Sequence, residues 1–258
     1  MIVDDPHLHL RLAATKLDRL AAQRLRYQVF VEELGGDGPL VDHDRRLERD
    51  RFDPFFDHLV LVDDRRDPGS LDHVIGVYRV MRDDQARAGE GFYSAGEYDL
   101  TPLEASGRRL LELGRSCVHP DYRGGSAMLH LWTGLADYVR DHGIEILFGV
   151  ASYPGTDTAA LAQPLSYLHH HYLAPPPLRV QATGANRTRM DLLPPDAIDR
   201  PAAMKATPAL IKAYLRLGGF VGEGAWIDRA FRTTDVCLVM DTARMNERQR
   251  GIYARGGA

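Results

Sequence analysis

The 258-residue chain has few cysteines, no long apolar run and no strong net charge, and each lack counts against a class of protein. Its two cysteines, Cys117 and Cys237, lie in separate apolar stretches. They read as buried, reduced thiols of a cytosolic protein rather than as a disulfide framework or a metal site. No stretch approaches the roughly 18 apolar residues of a membrane-crossing helix. The opening "MIVDDPHLHLRL" has no basic segment followed by an apolar one, so it does not read as a secretion signal. These lacks predict a cytoplasmic protein. A formal net charge of −4 argues against a dedicated nucleic-acid binder. No internal repeat or low-complexity segment breaks the chain.

The charge that is present is unevenly spread. Residues 37–104 hold 17 Asp and Glu against 9 Lys and Arg, whereas residues 200–258 hold 10 Lys and Arg against 5 Asp and Glu. The acidic stretch suits a cationic small molecule, and the basic one an acidic partner or an anionic membrane surface. Two solvated faces explain the same numbers.

Strand and helix patterns alternate along the chain. Residues 7–12 predict a short strand, and the apolar spacing of Leu17, Leu20, Ala21, Leu25 and Val29 predicts a helix stopped by Gly35-Gly36. Residues 37–54 have no period and read as a charged loop. "HLVLVDD" (58–64), "HVIGVYRVMR" (73–82) and "RRLLELGRSCVHP" (108–120) read as strands. The next helix has Met128, Leu131, Trp132, Leu135 and Val139 as its apolar face and ends at His142-Gly143. "IEILFGVAS" (144–152) is apolar almost throughout, the mark of a strand buried on both faces. A helix is expected over 156–172, and "LRVQA" and "TRMDLL" read as strand material. Pro-rich 174–177 and 194–201 are connectors. Thr207-Pro208 reads as a cap opening a helix to Leu217, and 235–241 as a last strand. This order predicts an α/β or α+β fold with both sheet faces covered.

Three groups of residues can do chemistry. The first is the turn in "HPDYRGGSAMLHLW" (119–132), where Arg123, Gly124, Gly125, Ser126 and Ala127 put bare amides and a guanidinium before a helix N-terminus. That combination suits a phosphate. The second is Glu112, flanked by Leu110, Leu111 and Leu113. Burial there raises the pKa of a carboxyl, which suits a general base near neutral pH; a salt-bridged strand carboxylate, with Arg115 the nearest partner, fits equally. Residues three apart on a strand face opposite ways, so Glu112 and Arg115 share a site only if a bulge intervenes, with Gly114 the expected place. The third group comprises Arg26, Phe30, Glu32, Asp50, Asp53, His58 and Arg79, from "RYQVFVEELGG", "ERDRFD" and "VYRVMR". Its acids suit a cationic amino-acid side chain and its arginines a carboxylate; a polar network tying the loop to the sheet is the plainer reading. His169-His170-His171 looks metal-like, but three adjacent histidines do not readily face one ion, so no metal is expected. Phe92, Tyr93, Tyr98, Trp132, Tyr153 and Tyr167 belong either to the core or to an acyl tunnel.

The strand ending at Val118 and the turn after it resemble the GNAT acyltransferase superfamily, although Ser126 and Met128 stand where that family's turn carries small residues. The order of Arg26, Phe30, Asp50, Asp53, Arg79, Glu112 and Arg115 resembles the acyl-homoserine-lactone synthases. Nearly the whole chain, including "LELGRSCVHPDYRGG" and "LIKAYLRLGGFVGEGAWIDRAFRTTDVCLVMD", is similar to the bacterial L-ornithine N-alpha-acyltransferases. The resemblance implies a single GNAT-type domain over 1–258, a mixed and largely antiparallel sheet flanked by helices. Residues 1–175 would be its core with the donor site, and 176–258 a C-terminal elaboration. It implies an acyltransferase making lyso-ornithine lipid from 3-hydroxyacyl-acyl carrier protein and ornithine. No cofactor would be bound, and coenzyme A would be a surrogate donor. Val118 and Arg123 to Ala127 would hold the phosphopantetheine, Glu112 would be the base with Arg115 beside it, and Arg26, Glu32, Asp50, Asp53, His58 and Arg79 would bind the acceptor. The acylated product implies peripheral contact with the inner membrane. An acyl-homoserine-lactone synthase using S-adenosylmethionine, and a coenzyme A-dependent N-acetyltransferase, are the rival enzymes. A membrane-active, haemolysin-like protein is disfavoured by the lack of a long amphipathic or apolar segment.

Overall fold

Alternating apolar residues become strands and amphipathic stripes become helices across residues 5–244, the part described by the computed structural model. In chain order the strands are β1 (Leu8–Leu12), β2 (Asp57–Asp63), β3 (Val74–Arg82), β4 (Tyr98–Asp99), β5 (Leu110–Val118), β6 (Ile146–Pro154), β7 (Gln181–Ala182), β8 (Arg187–Thr188), β9 (Phe220–Val221), β10 (Ala225–Asp228) and β11 (Thr233–Asp241). The α-helices are α1 (Lys16–Arg26), α2 (Asp83–Ala88), α3 (Thr101–Glu104), α4 (Ala127–Asp141), α5 (Ala162–Tyr172), α6 (Arg200–Ala206) and α7 (Ala209–Arg216). The described residues gather into two units, 5–90 with 113–143, and 91–112 with 144–244. Both contain part of β5.

In the first unit β1, β2 and β3 pair antiparallel, with Leu10 opposite Leu61 and Leu59 opposite Tyr78. Helix α1 is opened by a reciprocal cap: the Asp18 N–H donates to Thr15 Oγ1 and the Thr15 N–H to the Asp18 carboxylate, each at 3.1 Å. Its apolar face, Ala21, Ala22 and Leu25, packs with Val60, Val62, Val74, Val77 and Cys117 into a core of small and β-branched side chains. The expected helix does run toward Gly35, but from Tyr27 to Glu33 it widens into a π-helix, with Leu34 N–H bonded to Val29 O at 3.2 Å.

Helix α4 buries a face different from the expected one. Ala127, Leu131, Gly134, Leu135 and Tyr138 are buried, while Met128, Trp132 and Val139 are only half-buried. The larger side chains suggested the wrong stripe, because the contact is made by small residues that let the backbone come close. A Cβ added at Gly134 would lie 2.1 Å from Leu10 Cδ2, so the helix meets β1 where a glycine leaves room.

In the second unit β5 pairs with β6 in parallel over Leu110–Glu112, and β6 pairs antiparallel with β11 over its full length, from Ile146↔Asp241 to Pro154↔Thr233. Then come β10 and β8, with β9 on β11 and a separate β4–β7 pair. The pairings are antiparallel except for β5–β6, as the mixed, largely antiparallel expectation had it. Phe148 is buried at 1% exposure against Phe92, ring centroids 4.9 Å apart. Tyr98, Tyr153 and Tyr167 are buried as well. Two local readings change here. Thr207 does not open α7 but closes α6, a helix the sequence reading took for a connector. Its hydroxyl donates to Ala203 O at 2.9 Å, and Pro208 takes the cap position of α7. Helix α5 begins at Ala162 rather than near 156 because Gly155, at φ +94°, and the Asp157 turn keep the chain out of helix until then. Cys117 and Cys237 are both buried and unbridged, and burial pushes the Cys117 thiol up to about 12.

Candidate active site

Strand β5 carries three of the expected residues, and the chain treats each differently. Glu112 is 1% exposed, and its two oxygens accept the backbone N–H groups of Tyr93 and Ser94 at 2.8 and 2.6 Å. Two backbone donors on one carboxylate stabilise its negative charge, the form a proton acceptor needs. Arg115 stands at φ +49°, so the irregularity expected at Gly114 falls one residue later, on a side chain that tolerates left-handed backbone less well. The bend aims Arg115 at the 48–50 segment, with Nε 3.3 Å from Glu48 and Nη2 3.5 Å from Asp50.

Those contacts join Arg115 to a buried ionic cluster. Arg26 Nη1 donates to Asp53 Oδ1 at 2.6 Å and its Nε to Glu48 at 2.5 Å. Arg79 Nη1 lies 2.7 Å from both Asp53 and Asp50, and its guanidinium stacks 4.1 Å from the centroid of Phe56. Gln23 Nε2 donates to the second Asp53 oxygen at 2.8 Å. Three arginines thus face three carboxylates. Burial by itself pushes the Asp53 carboxyl up, but the Arg26 and Arg79 guanidiniums outweigh it and hold the group well below the usual carboxylate range. Glu48 and Asp50 are lowered in the same way. His58 enters from β2 with Nε2 3.8 Å from Asp53. Burial, then the Arg26 charge, pushes its pKa down to about 4, so it is neutral near pH 7. Neither ring nitrogen has a hydrogen-bond partner among the described residues.

The cluster collects Arg26, Asp50, Asp53, His58, Arg79 and Arg115. Glu32 is not in it: half-exposed on the π-helix, it forms a forked pair with Arg46 at 3.0 and 2.7 Å. The wider turn of the π-helix changes which way residues after Tyr27 point, which α-helical spacing does not reveal. Glu48 takes a central place instead. It opens the run "ERDRFD" and was passed over for its two aspartates. Asp50 and Arg115 keep side-chain exposures of 16% and 13%, against 0% to 1% for Arg26, Glu48 and Arg79, so this pair is the cluster's open edge.

Beyond Val118 the chain makes a 3₁₀ turn (Pro120–Tyr122) and enters the Arg-Gly-Gly stretch. Gly124 has φ +79°, a conformation that favours glycine. Ser126, at φ −79°, needs no glycine, and its side chain makes no capping bond, so the first amides of α4 keep their donor capacity. Arg123 Nε donates to Val118 O at 3.1 Å, while Nη1 and Nη2 grip the Glu33 carboxylate at 2.6 and 2.7 Å. Among the decoys, His169, His170 and His171 end α5 with different neighbours. His170 Nε2 meets Leu193 O at 3.0 Å, and the His171 ring packs on Tyr167.

Residues 25–133 match the family model described as "Acetyltransferase (GNAT) domain". The chain is 63% identical over 246 residues to the L-ornithine N(alpha)-acyltransferase of Rhodobacter capsulatus, covering 95% of this chain and 94% of that one. It is 42% identical over 248 residues to the L-ornithine N(alpha)-acyltransferase of Brucella abortus, covering 95% of this chain and 88% of that one. Among solved structures it is similar to the CoA-dependent acyl-homoserine lactone synthase BjaI, with a TM-score of 0.52 and 15% identity, covering 96% of this chain and 88% of that one. At that identity the likeness shows a shared fold.

Proposed function

The chain belongs to the L-ornithine N(alpha)-acyltransferase family, within the GNAT acyltransferases, and from that premise we propose that it moves a 3-hydroxyacyl group from an acyl carrier protein thioester to the α-amine of L-ornithine. The observation that carries this reading is 63% identity to a relative of that name across 95% of the chain. The geometry supports it residue by residue.

The donor's phosphopantetheine phosphate sits at the Arg123–Ala127 turn, where open helix amides and the macrodipole favour an anion. Backbone amides near Val118 polarise the thioester carbonyl. The ornithine carboxylate and side-chain ammonium exchange onto Arg115 and Asp50, the pair with the longest contact in the cluster and the most exposed carboxylate. Glu112, directly or through a water, takes a proton as the α-amine nitrogen bonds to the acyl carbon and the carbon–sulfur bond breaks. The thiolate leaves with the carrier and is protonated. The lyso-lipid product is amphiphilic, and the basic residues after 200 would meet an anionic bilayer surface; residues 245–258 of that stretch lie outside the described residues. No helix among the described residues is long and apolar enough to cross a membrane.

The test is incubation of the purified chain with 3-hydroxyacyl-acyl carrier protein and ornithine, read by mass spectrometry. An N-acylated ornithine is the expected product. A lactone formed only when S-adenosylmethionine is supplied, or acetylation from acetyl-coenzyme A in place of long-chain transfer, would overturn the reading.

A further inference from the structure

The arginine assigned to the donor phosphate already holds an anion. Both terminal nitrogens of Arg123 are taken by the Glu33 carboxylate at 2.6 and 2.7 Å, the forked geometry a phosphate also uses. Two features set this pair apart from the buried ionic cluster. Its side chains are 41% and 39% exposed, so solvent and ligands reach them. The Arg123 Nε is separately anchored to Val118 O at 3.1 Å, so the guanidinium keeps its place when the carboxylate leaves.

Glu33 sits at the C-terminal end of the π-helix. The same segment reaches the strand end through Gln28, whose Nε2 lies 3.4 Å from His119 Nε2. The wider turn thus brings two polar side chains to the stretch that begins the donor site. The hydrogen bond from Arg123 lowers the Glu33 pKa, so its charge is present throughout the working pH range.

We propose that Glu33 occupies the phosphate position on Arg123 in the ligand-free protein, and that the donor binds by displacing it. Glu33 is then a residue that sets donor affinity through Arg123: it raises the threshold for entry and disfavours donors without a phosphate to offer in exchange. This rests on the assignment of the turn as the phosphopantetheine site.

A double-mutant cycle on donor KM tests it, with 3-hydroxyacyl-acyl carrier protein as the probe. Arg123→Gln should raise KM. Glu33→Gln, which keeps shape and removes charge, should lower KM by roughly three- to tenfold with little change in kcat, since one forked surface pair is being relieved. In the Arg123→Gln background the Glu33→Gln change should have no effect on KM, because the competition runs through the fork. If Arg123→Gln raises KM while Glu33→Gln raises it or leaves it unchanged, the exchange is refuted and the donor site stands. An equal drop in KM in both backgrounds reduces Glu33 to a general charge effect and also refutes the exchange. If Arg123→Gln leaves KM unchanged, the donor assignment itself is lost. Glu33→Ala provides a second variant, and thermal unfolding checks that each one folds.

Discussion

At the residue scale, Glu112 separates burial from charge. A glutamate between leucines looks like a group that burial would neutralise, and its exposure of 1% agrees with that picture. The two N–H donors from Tyr93 and Ser94 add what the sequence does not show, a built cradle for the negative charge. Glu112→Gln keeps an oxygen for these donors and loses the ability to take a proton. It should lower kcat by about 10²- to 10⁴-fold, with donor KM within about twofold. Steady-state kinetics at pH 7 to 8 check this, and a kcat near wild type would remove Glu112 from the base role. The charged residues around Arg26 were legible as types and only partly as partners. Asp50, Asp53 and Arg79 were picked from their runs. Glu48 was missed and Glu32 included, because pairing depends on where a charged loop folds back, and nothing periodic records that.

At the element scale, the turn before α4 works through backbone. Gly124 and Gly125 look equivalent in the sequence and differ in the fold. Gly124 has φ +79°, so Gly124→Ala should cost about 1 kcal/mol or more in stability. Gly125 has no such requirement, and an added Cβ would lie in ordinary contact, 3.6 Å from Tyr122 O. Gly125→Ala should therefore leave the melting temperature unchanged within about 2 °C, less than 1 kcal/mol brings to a domain of this size, while raising donor KM by placing a methyl over the amides. Melting curves and kinetics on the two variants check the contrast; a Gly125→Ala enzyme with normal KM would take the phosphate away from this turn. The register of α4 teaches the same lesson as the turn. Its apolar period was plain, but its buried side was decided by Gly134 fitting against Leu10. Side-chain size along a helix says little about which face comes closest.

At the scale of the whole molecule, the ionic cluster links stability to pH. His58 is pushed down to about 4 in the folded chain and titrates near 6.5 when unfolded. Between those values the unfolded state binds the additional proton, so stability falls as pH drops from about 6.5 to 4, by up to about 3 kcal/mol. Asp53, Glu48 and Asp50 have lowered pKa values in the fold, so their contribution is present above the usual carboxylate range and is lost as pH falls through it. The two effects together predict acid sensitivity that begins well above pH 4. His58→Leu should remove most of the upper part, leaving a smaller slope from His119, which burial also lowers. Urea unfolding at a series of pH values measures both; an unchanged slope between pH 6.5 and 4 in the variant would show that His58 does not titrate as its surroundings dictate.

The sequence by itself determined the alternation of elements, the strand–turn–helix that carries Glu112, Val118 and Arg123, and the acidic segment opposite the arginines of α1 and β3. Those features are local: apolar period, glycine placement and residue type act within a few neighbours. The tertiary structure alone decided which carboxylate meets which guanidinium, that Ser126 leaves the α4 amides open, and that Arg123 holds Glu33. Such pairings join residues 20 to 90 positions apart, and their geometry is fixed by packing that no single segment contains.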